Sequence, residues 1–183
     1  MRKIAFLFMK YLTYLGSNLI PPILINLLRL VLFKKGDKFI KKNDSANYWF
    51  EHLVPYEDWP DAKGSLNHFL WRNAQYPGYI DLMPVSGAEG LTVMDYGCGP
   101  GNDLVGFHEF SNPARIIGID VSTKALAVAR RRAALHDFNV ELIHIKDELN
   151  QIPLQDNTVD LVHSSGVLHH VRNLKVVIDE IKR

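Results

Sequence analysis

A glycine-rich turn between a predicted strand and a predicted helix constrains this chain more than any other feature. Residues 93–103 read VMDYGCGPGND, with an apolar run before the turn and a helical pattern after it. A strand end, a tight turn and a helix N-terminus bring bare backbone N–H groups to the switch point of an open sheet. Glycine is needed there because a ligand has to touch the backbone. The turn therefore predicts a ligand-binding loop in an α/β fold.

Strand and helix patterns alternate from this turn to residue 183. Strands are predicted at 91–96, 115–120, 140–145 and 159–164, and helices at 102–111, 122–136 and 171–182. The alternation predicts a doubly wound, Rossmann-like parallel sheet covered by helices on both faces. No capping glycine or turn follows the last helix, so we expect the fold to continue beyond residue 183.

The spacing of the loop decides among nucleotide-like ligands. A dinucleotide fingerprint needs a third glycine where this chain has Asn102 or Leu104, and a phosphate-binding P-loop needs a lysine that is absent here. Asp95 at the mouth of the loop would repel a pyrophosphate. S-adenosylmethionine (SAM) has no phosphate and carries an ammonium and a sulfonium group, so it suits an acid there. Asp120, at the end of the second strand, can accept both hydroxyls of a ribose.

Three motifs in order make the interpretation specific. The D-x-G-x-G-x-G loop at 95–101 is similar to the SAM-binding loop of class I SAM-dependent methyltransferases of the type 11-like group. IIGIDVS at 116–122 resembles their second-strand motif, and IPLQDNTVDLVHSSGVLHHV at 152–171 resembles the segment that carries their fourth strand. The resemblance covers about residues 91–183 and implies the first four strands of a seven-strand sheet. We therefore expect a C-terminally truncated domain that does not transfer methyl groups alone.

The resemblance also implies roles for individual residues. The loop glycines contact the methionine part of SAM through their backbone, with Asp95 near its amino group. Asp120 holds the ribose and Val121 lies against the adenine, while an acid after the third strand meets the adenine amine. Two serines end the fourth strand beside the methyl group. The implied cofactor residues are Asp95, Gly97, Gly99, Gly101, Asp120, Val121, Asp147 or Glu148, Ser164 and Ser165.

Other polar residues allow two interpretations each. Arg72, on the helix before the first strand, either pairs with the cofactor carboxylate or lies on the surface. One of His169 and His170 is a candidate general base, but neighbours on a helix do not share a face, so no metal site is expected. Cys98, the single cysteine, is favoured as a small packing residue. Arg130, Arg131 and Arg132 are interpreted as the solvated face of a helix.

Charge and composition divide the chain into three parts. Residues 1–42 are apolar and carry a net charge of +8, whereas the remainder carries −7. The first part is interpreted as an interfacial helix on an anionic membrane, with a true span and an arm packed on the protein itself as alternatives. Since the rest of the chain is acidic, no nucleic-acid partner is expected. With one cysteine, the protein is expected to be cytoplasmic, with membrane association through residues 1–42.

The middle part, residues 43–90, holds all three tryptophans and is predicted to form short helices. One helix is predicted at 65–76 with Ser65 as its cap. This segment either covers a cofactor as a lid or packs on the sheet, and packing is favoured. The SAM-binding part is assigned to residues 91–183.

These patterns favour a SAM-dependent methyltransferase acting on a small-molecule or lipid-like acceptor. A non-catalytic SAM-binding fragment is the first alternative. An NAD-dependent oxidoreductase is the second, and Asn102 and Asp95 argue against it.

Overall fold

Four parallel strands form the sheet at the centre of the fold. The structure is a computed structural model, and it describes residues 45–52, 58–76, 78–146 and 151–183. All of them belong to one compact unit, Ile40–Arg183. The predicted arm at 1–42 lies outside the described residues.

Within the described residues, three helices precede the sheet: α1 Ser45–Glu51, α2 Ala62–Ala74 and α3 Tyr79–Leu82. The alternating part then runs β1 Thr92–Tyr96, α4 Asn102–Ser111, β2 Arg115–Asp120, α5 Thr123–Leu135, β3 Glu141–His144, β4 Leu161–His163, a short 3-10 helix Leu168–His170, and α6 Leu174–Lys182. The strand order is β3-β2-β1-β4. This arrangement confirms the predicted Rossmann-like parallel sheet.

The register of the central strand β1 determines what meets at the ligand side of the sheet. Asp95 on β1 is level with Gly118 on β2 and with His163 on β4. Successive side chains of a strand point to opposite faces. Val93 accordingly joins a core with Phe69 and Phe107, while Met94 joins the other core with Ile117. Both faces of the sheet are therefore covered, as the apolar strand sequences predict.

The N-terminal cap of α2 differs from the predicted one. The helix begins at Ala62, and its cap is Asp61, whose carboxylate accepts a hydrogen bond from the Gly64 backbone N–H at 2.7 Å. Ser65 lies inside the helix and is fully buried. Its hydroxyl accepts a hydrogen bond from Arg132 Nε at 2.6 Å, so a tertiary contact uses the oxygen that we expected to cap the helix.

Arg132 corrects a second prediction, because it is not on a solvated face. Its side chain is 1% exposed, and its guanidinium lies 4.2 Å from the centre of the Trp59 ring. Burial lowers the pKa of Arg132 to about 9. Arg131, in contrast, is 63% exposed and pairs with exposed Asp58 at 2.8 Å. The aromatic segment therefore packs against α5 at this point.

No helix in the described ranges has both the length and the apolar character required to cross a membrane.

Candidate functional site

An open cleft lies where β1, β2 and β4 end. The empty space within it is about 830 Å³, which includes solvent at its open side. The glycine loop forms one wall with the end of β2, and residues 165–167 after β4 form another. Trp49 of α1 and His170 of the 3-10 helix complete the rim. The structure thus brings the sequence motifs to one place, at the predicted edge of the sheet.

The glycines of the loop avoid a side chain for two different structural reasons. Gly97, Gly99 and Gly101 all have positive φ, at 80°, 52° and 77°. A Cβ on Gly97 would lie 2.3 Å from Cγ2 of Val167, so no side chain fits between the two walls of the cleft. Gly97 and Gly99 line the cleft. Gly101 instead packs against α5, where a Cβ would lie 3.0 Å from that of Ala129.

Asp120 connects the glycine loop to the end of β2. Its Oδ2 accepts the Gly99 N–H at 2.8 Å, and its Oδ1 accepts the Ser122 N–H at 2.8 Å. Burial raises the pKa of Asp120, and these backbone hydrogen bonds act in the opposite direction. Each carboxylate oxygen has further acceptor capacity. Asp120 can therefore also accept hydroxyl groups from a ligand in the cleft.

Behind the loop, four ionisable groups form a network: Asp95, Asp103, His163 and Arg72. Of these, Asp95 and Arg72 were predicted as site residues. Asp95 is 2% exposed and does not line the cleft. Asp103, on α4, pairs with Arg72 Nη2 and receives a hydrogen bond from His163 Nε2 at 3.3 Å. The sequence signal for His163 was a polar residue inside an apolar strand, and for Asp103 an acid in the first turn of α4.

The pKa values in this network move in different directions. Burial raises the pKa of Asp95 to about 7, assisted by the negative charge of Asp103. Burial also opposes ionisation of Asp103, but the hydrogen bond from His163 and the charge of Arg72 outweigh it and lower the pKa of Asp103. Burial lowers the pKa of His163, but its hydrogen bond to Asp103 and the charge of Asp95 outweigh this and raise it. Asp95 is therefore a group of this network whose pKa lies near neutral pH.

Arg72 and the two serines differ in their relation to the cleft. Arg72 does not line it, because its guanidinium is engaged by Asp103. Ser164 donates a hydrogen bond from its hydroxyl to the Tyr96 carbonyl at 2.9 Å. Ser165 lines the cleft, and its hydroxyl is hydrogen-bonded to that of Tyr79 on α3. The contact predicted between Arg72 and a cofactor carboxylate remains a prediction.

Of the two predicted histidines, His170 lines the cleft. The centre of its ring lies 5.1 Å from that of Trp49 in an edge-to-face arrangement, and 3.9 Å from that of His169. Burial and the neighbouring His169 lower the pKa of His170, so its imidazole is neutral at pH 7. Within the described ranges, no group of His, Cys, Asp or Glu is arranged to hold a metal ion.

Cys98 lies beside the loop as a packing residue. It is buried, and burial raises the pKa of its thiol well above the usual value. A protonated, enclosed thiol is a weak nucleophile. Val121 lines the cleft, whereas Asp147 and Glu148 lie outside the described residues.

The charge of the cleft provides a test of the expected cofactor. Among the described residues that line it, Asp120 is the one with a formal charge at neutral pH. A cleft with a carboxylate and no lysine or arginine suits a ligand that carries a sulfonium. The part of its lining that the structure describes offers no cation to a pyrophosphate. The residues present therefore fit SAM better than NAD.

Comparison with known proteins agrees with this geometry. A family model described as a methyltransferase domain matches residues 88–183. Over 136 residues the chain is 30% identical to a ubiquinone biosynthesis O-methyltransferase from Glaesserella parasuis, covering 73% of this chain and 56% of that protein. It is 29% identical over 96 residues to an uncharacterized methyltransferase from Schizosaccharomyces pombe, covering 50% of this chain and 34% of that one. The chain thus spans about half or less of the length of these curated relatives.

A solved structure supports the fold. The candidate SAM-dependent methyltransferase from Methanococcus maripaludis superposes with a TM-score of 0.51 at 21% identity, over 72% of this chain and 62% of that one. The family model alone covers more than half of the chain and includes the glycine loop, Asp120 and β4. The chain therefore belongs to the methyltransferase domain family.

Proposed function

We propose that this protein binds SAM in the cleft and transfers its methyl group to a small-molecule or lipid-like acceptor. The observation that carries the proposal is the position of Asp120. Among the described residues that line the cleft it is the charged one, it ends β2, and it accepts a hydrogen bond from the Gly99 N–H. An acid there serves both the ribose hydroxyls and the positive charge of the cofactor.

The lining residues suggest how the cofactor lies. The ribose is assigned to Asp120, and the adenine to the apolar surface of Val121 and Ile145. The methionine part is assigned to the backbone of Gly97 and Gly99, which no side chain obstructs. Asp147 or Glu148 is proposed to meet the adenine amine. Asp95, buried behind the loop, is proposed to lie near the amino group.

The remaining part of the cleft is assigned to the acceptor. Trp49, Val167 and Val171 present apolar surface there, and His170 presents a neutral imidazole. SAM supplies an activated methyl group when it is bound, so the protein mainly has to orient the acceptor and exclude water. His170 is proposed to take the proton of an oxygen or nitrogen acceptor. One relative is, by its name, an O-methyltransferase of ubiquinone biosynthesis, which supports an oxygen acceptor on an apolar molecule.

A binding titration tests the cofactor assignment. S-adenosylhomocysteine should bind the full chain, and NAD should not. Asp120→Ala should weaken S-adenosylhomocysteine binding by about 1.5–3 kcal/mol, the range for hydrogen bonds to a charged group. Calorimetry measures both ligands.

Asp58→Ala is the matched control, because Asp58 is an exposed acid whose side chain is 82% exposed. Asp120→Asn, with a melting curve for each variant, separates a loss of binding from a loss of folding. Tighter binding of NAD, or an Asp120→Ala variant that binds as well as the Asp58→Ala control, would show that the assignment is wrong.

We also propose that residues 1–42 contact an anionic membrane surface. The support is the sequence alone: a net charge of +8 beside the aliphatic run at 19–33. Basic residues near an anionic bilayer are each attracted by ~1 kcal/mol. A lipid-like acceptor would be reached most directly by a protein bound at that surface.

A further inference from the structure

A series of hydrogen bonds leads from the half-buried guanidinium of Arg72 to the wall of the cleft. Arg72 is paired with Asp103, whose side chain is 6% exposed. The guanidinium carbon of Arg72 lies 5.1 Å from the centre of the Tyr79 ring, and Nη2 lies 3.5 Å from the phenol oxygen. The Tyr79 hydroxyl is in turn hydrogen-bonded to Ser165, which lines the cleft.

The chemistry of the three groups sets the direction of this chain. A guanidinium has donors and no acceptor, so the phenol oxygen of Tyr79 must accept from Arg72. The cation also repels the phenolic hydrogen, which then points to Ser165. Ser165 therefore accepts through its oxygen, and its own hydrogen is left to donate elsewhere. Since Ser165 lines the cleft, that hydrogen is available to a ligand there.

We propose that Arg72 and Tyr79 orient the Ser165 hydroxyl so that it donates a hydrogen bond to an anionic oxygen of a ligand in the cleft. The inference deepens the proposed function and rests on it. An anionic oxygen suits this donor because successive hydrogen bonds polarise one another and the first donor is a cation. Ser165 binds the ligand, while Arg72 and Tyr79 are positioning residues that act through it.

Two ligands could supply such an oxygen at this wall. The first is the carboxylate of the methionine part of the cofactor. The second is the ionised hydroxyl of an oxygen acceptor. Each presents an anionic oxygen that can accept a hydrogen bond from Ser165. Binding measurements with different probes distinguish the two.

The variants for the test are Ser165→Ala, Tyr79→Phe and the double variant in the full chain. The hydrogen-bonded series Arg72, Tyr79 and Ser165 is called the relay below. Tyr79→Phe keeps the ring and removes only the hydroxyl of the relay. The matched control is Tyr76→Phe, because Tyr76 is on the same segment, is 64% exposed, and lies 6.3 Å from Tyr79 between ring centres. Melting curves of all variants report whether the fold is retained.

The first part of the experiment, the cofactor arm, compares the binding of S-adenosylhomocysteine with that of 5′-methylthioadenosine, which lacks the carboxylate. If the oxygen belongs to the cofactor, Ser165→Ala weakens S-adenosylhomocysteine binding about tenfold or more, as for a hydrogen bond to a charged group. Tyr79→Phe weakens it in the same direction, and the affinity for 5′-methylthioadenosine is unchanged. The double variant is then no weaker than Ser165→Ala alone, because Tyr79 acts through Ser165.

The acceptor arm uses 4-nitrophenol, bound to the protein with saturating S-adenosylhomocysteine at fixed pH. Its visible absorbance reports the ionised fraction. If the oxygen belongs to the acceptor, Ser165→Ala and Tyr79→Phe lower the ionised fraction of bound 4-nitrophenol, and the affinity for S-adenosylhomocysteine is unchanged.

Three results would overturn the relay. The first is unchanged behaviour of both variants in both arms, including the case where 4-nitrophenol does not bind. The second is additivity of the two substitutions, and the third is an equal effect of Tyr76→Phe. If the unsubstituted chain does not bind S-adenosylhomocysteine, the proposed function fails and the relay with it, so the two failures are distinguishable.

Discussion

The contact between Gly97 and Val167 allows a quantitative test of how the cleft is built. The substitution Gly97→Ala places a Cβ at φ of 80°, 2.3 Å from Cγ2 of Val167. The left-handed backbone costs an L-residue about 1–2 kcal/mol. Overpacking against Val167 adds about 1–3 kcal/mol. We therefore expect Gly97→Ala to lower the free energy of unfolding by roughly 2–5 kcal/mol.

Gly99→Ala is the matched control in the same loop. Gly99 also has positive φ, 52°, but no atom lies within 4 Å of the position that its Cβ would take. Its substitution should cost only the backbone part, about 1–2 kcal/mol. The difference between the two variants then measures the steric contact between the loop and residues 165–167.

Urea denaturation measures these free energies, and a double variant identifies their cause. Val167→Ala removes the atoms that the new Cβ meets, so Gly97→Ala should cost less in that background than in the unsubstituted chain. S-adenosylhomocysteine affinity should also fall in Gly97→Ala, because the new methyl group separates the two walls. Equal costs for Gly97→Ala and Gly99→Ala, or no relief from Val167→Ala, would refute the reasoning.

Two further predictions concern pH and the membrane. The pKa of Asp95 is raised from 3.8 to about 7 in the folded state. Between these pH values the folded state therefore binds more protons than the unfolded state, so the free energy of unfolding falls as the pH rises from about 4 to 7. Asp95→Asn should flatten this part of the stability–pH curve and be more stable than the unsubstituted chain above pH 7, which urea denaturation at several pH values checks; an unchanged slope would contradict it. In the second, the full chain should float with anionic liposomes at low salt and be released at high salt, and deletion of residues 1–42 should abolish flotation. Equal flotation with and without these residues would refute the membrane proposal.

Much of the alternating part of the fold could be predicted because its signals are local. The predicted bounds of α4 and β2, 102–111 and 115–120, are those of the structure, and β1 differs by one residue. These segments are long apolar runs separated by glycine or proline, so periodicity and turn residues suffice. The last helix is shorter than predicted, because it begins after Asn173, whose side chain accepts a hydrogen bond from the Val176 N–H and caps the helix.

The errors occurred where a tertiary contact decides the role of a side chain. Asp61 and Ser65 are both good capping residues, and only the position of Arg132 shows that Ser65 is used otherwise. Three consecutive arginines suggested a solvated face. Helical spacing from buried Ala125, Val128 and Ala129 places Arg132 on the inner face, and that signal was present in the sequence.

The candidate site could be predicted where its residues lie in local sequence motifs. Gly97, Gly99, Asp120 and Val121 lie in contiguous motifs, and all four line the cleft. The network of Asp95, Asp103 and His163 depends on the register between β1 and β4, which sequence patterns do not specify. Trp49 and His170 approach each other across 121 positions of the chain, so neither motif predicted their contact.

The position of Arg72 outside the cleft is consistent with the chemistry that we propose for it. A guanidinium directly beside a sulfonium would repel the cofactor, and the repulsion would be strong in a partly desolvated cleft. Asp103 neutralises Arg72 behind the wall, and only the hydroxyl dipoles of Tyr79 and Ser165 continue to the ligand. A dipole acts over a shorter range than a charge, so Ser165 can favour an anionic oxygen that touches it while a sulfonium further along the cleft is still attracted by Asp120. If the anionic oxygen is the cofactor carboxylate, the fold thereby recognises the carboxylate and the sulfonium of SAM at different places in the cleft.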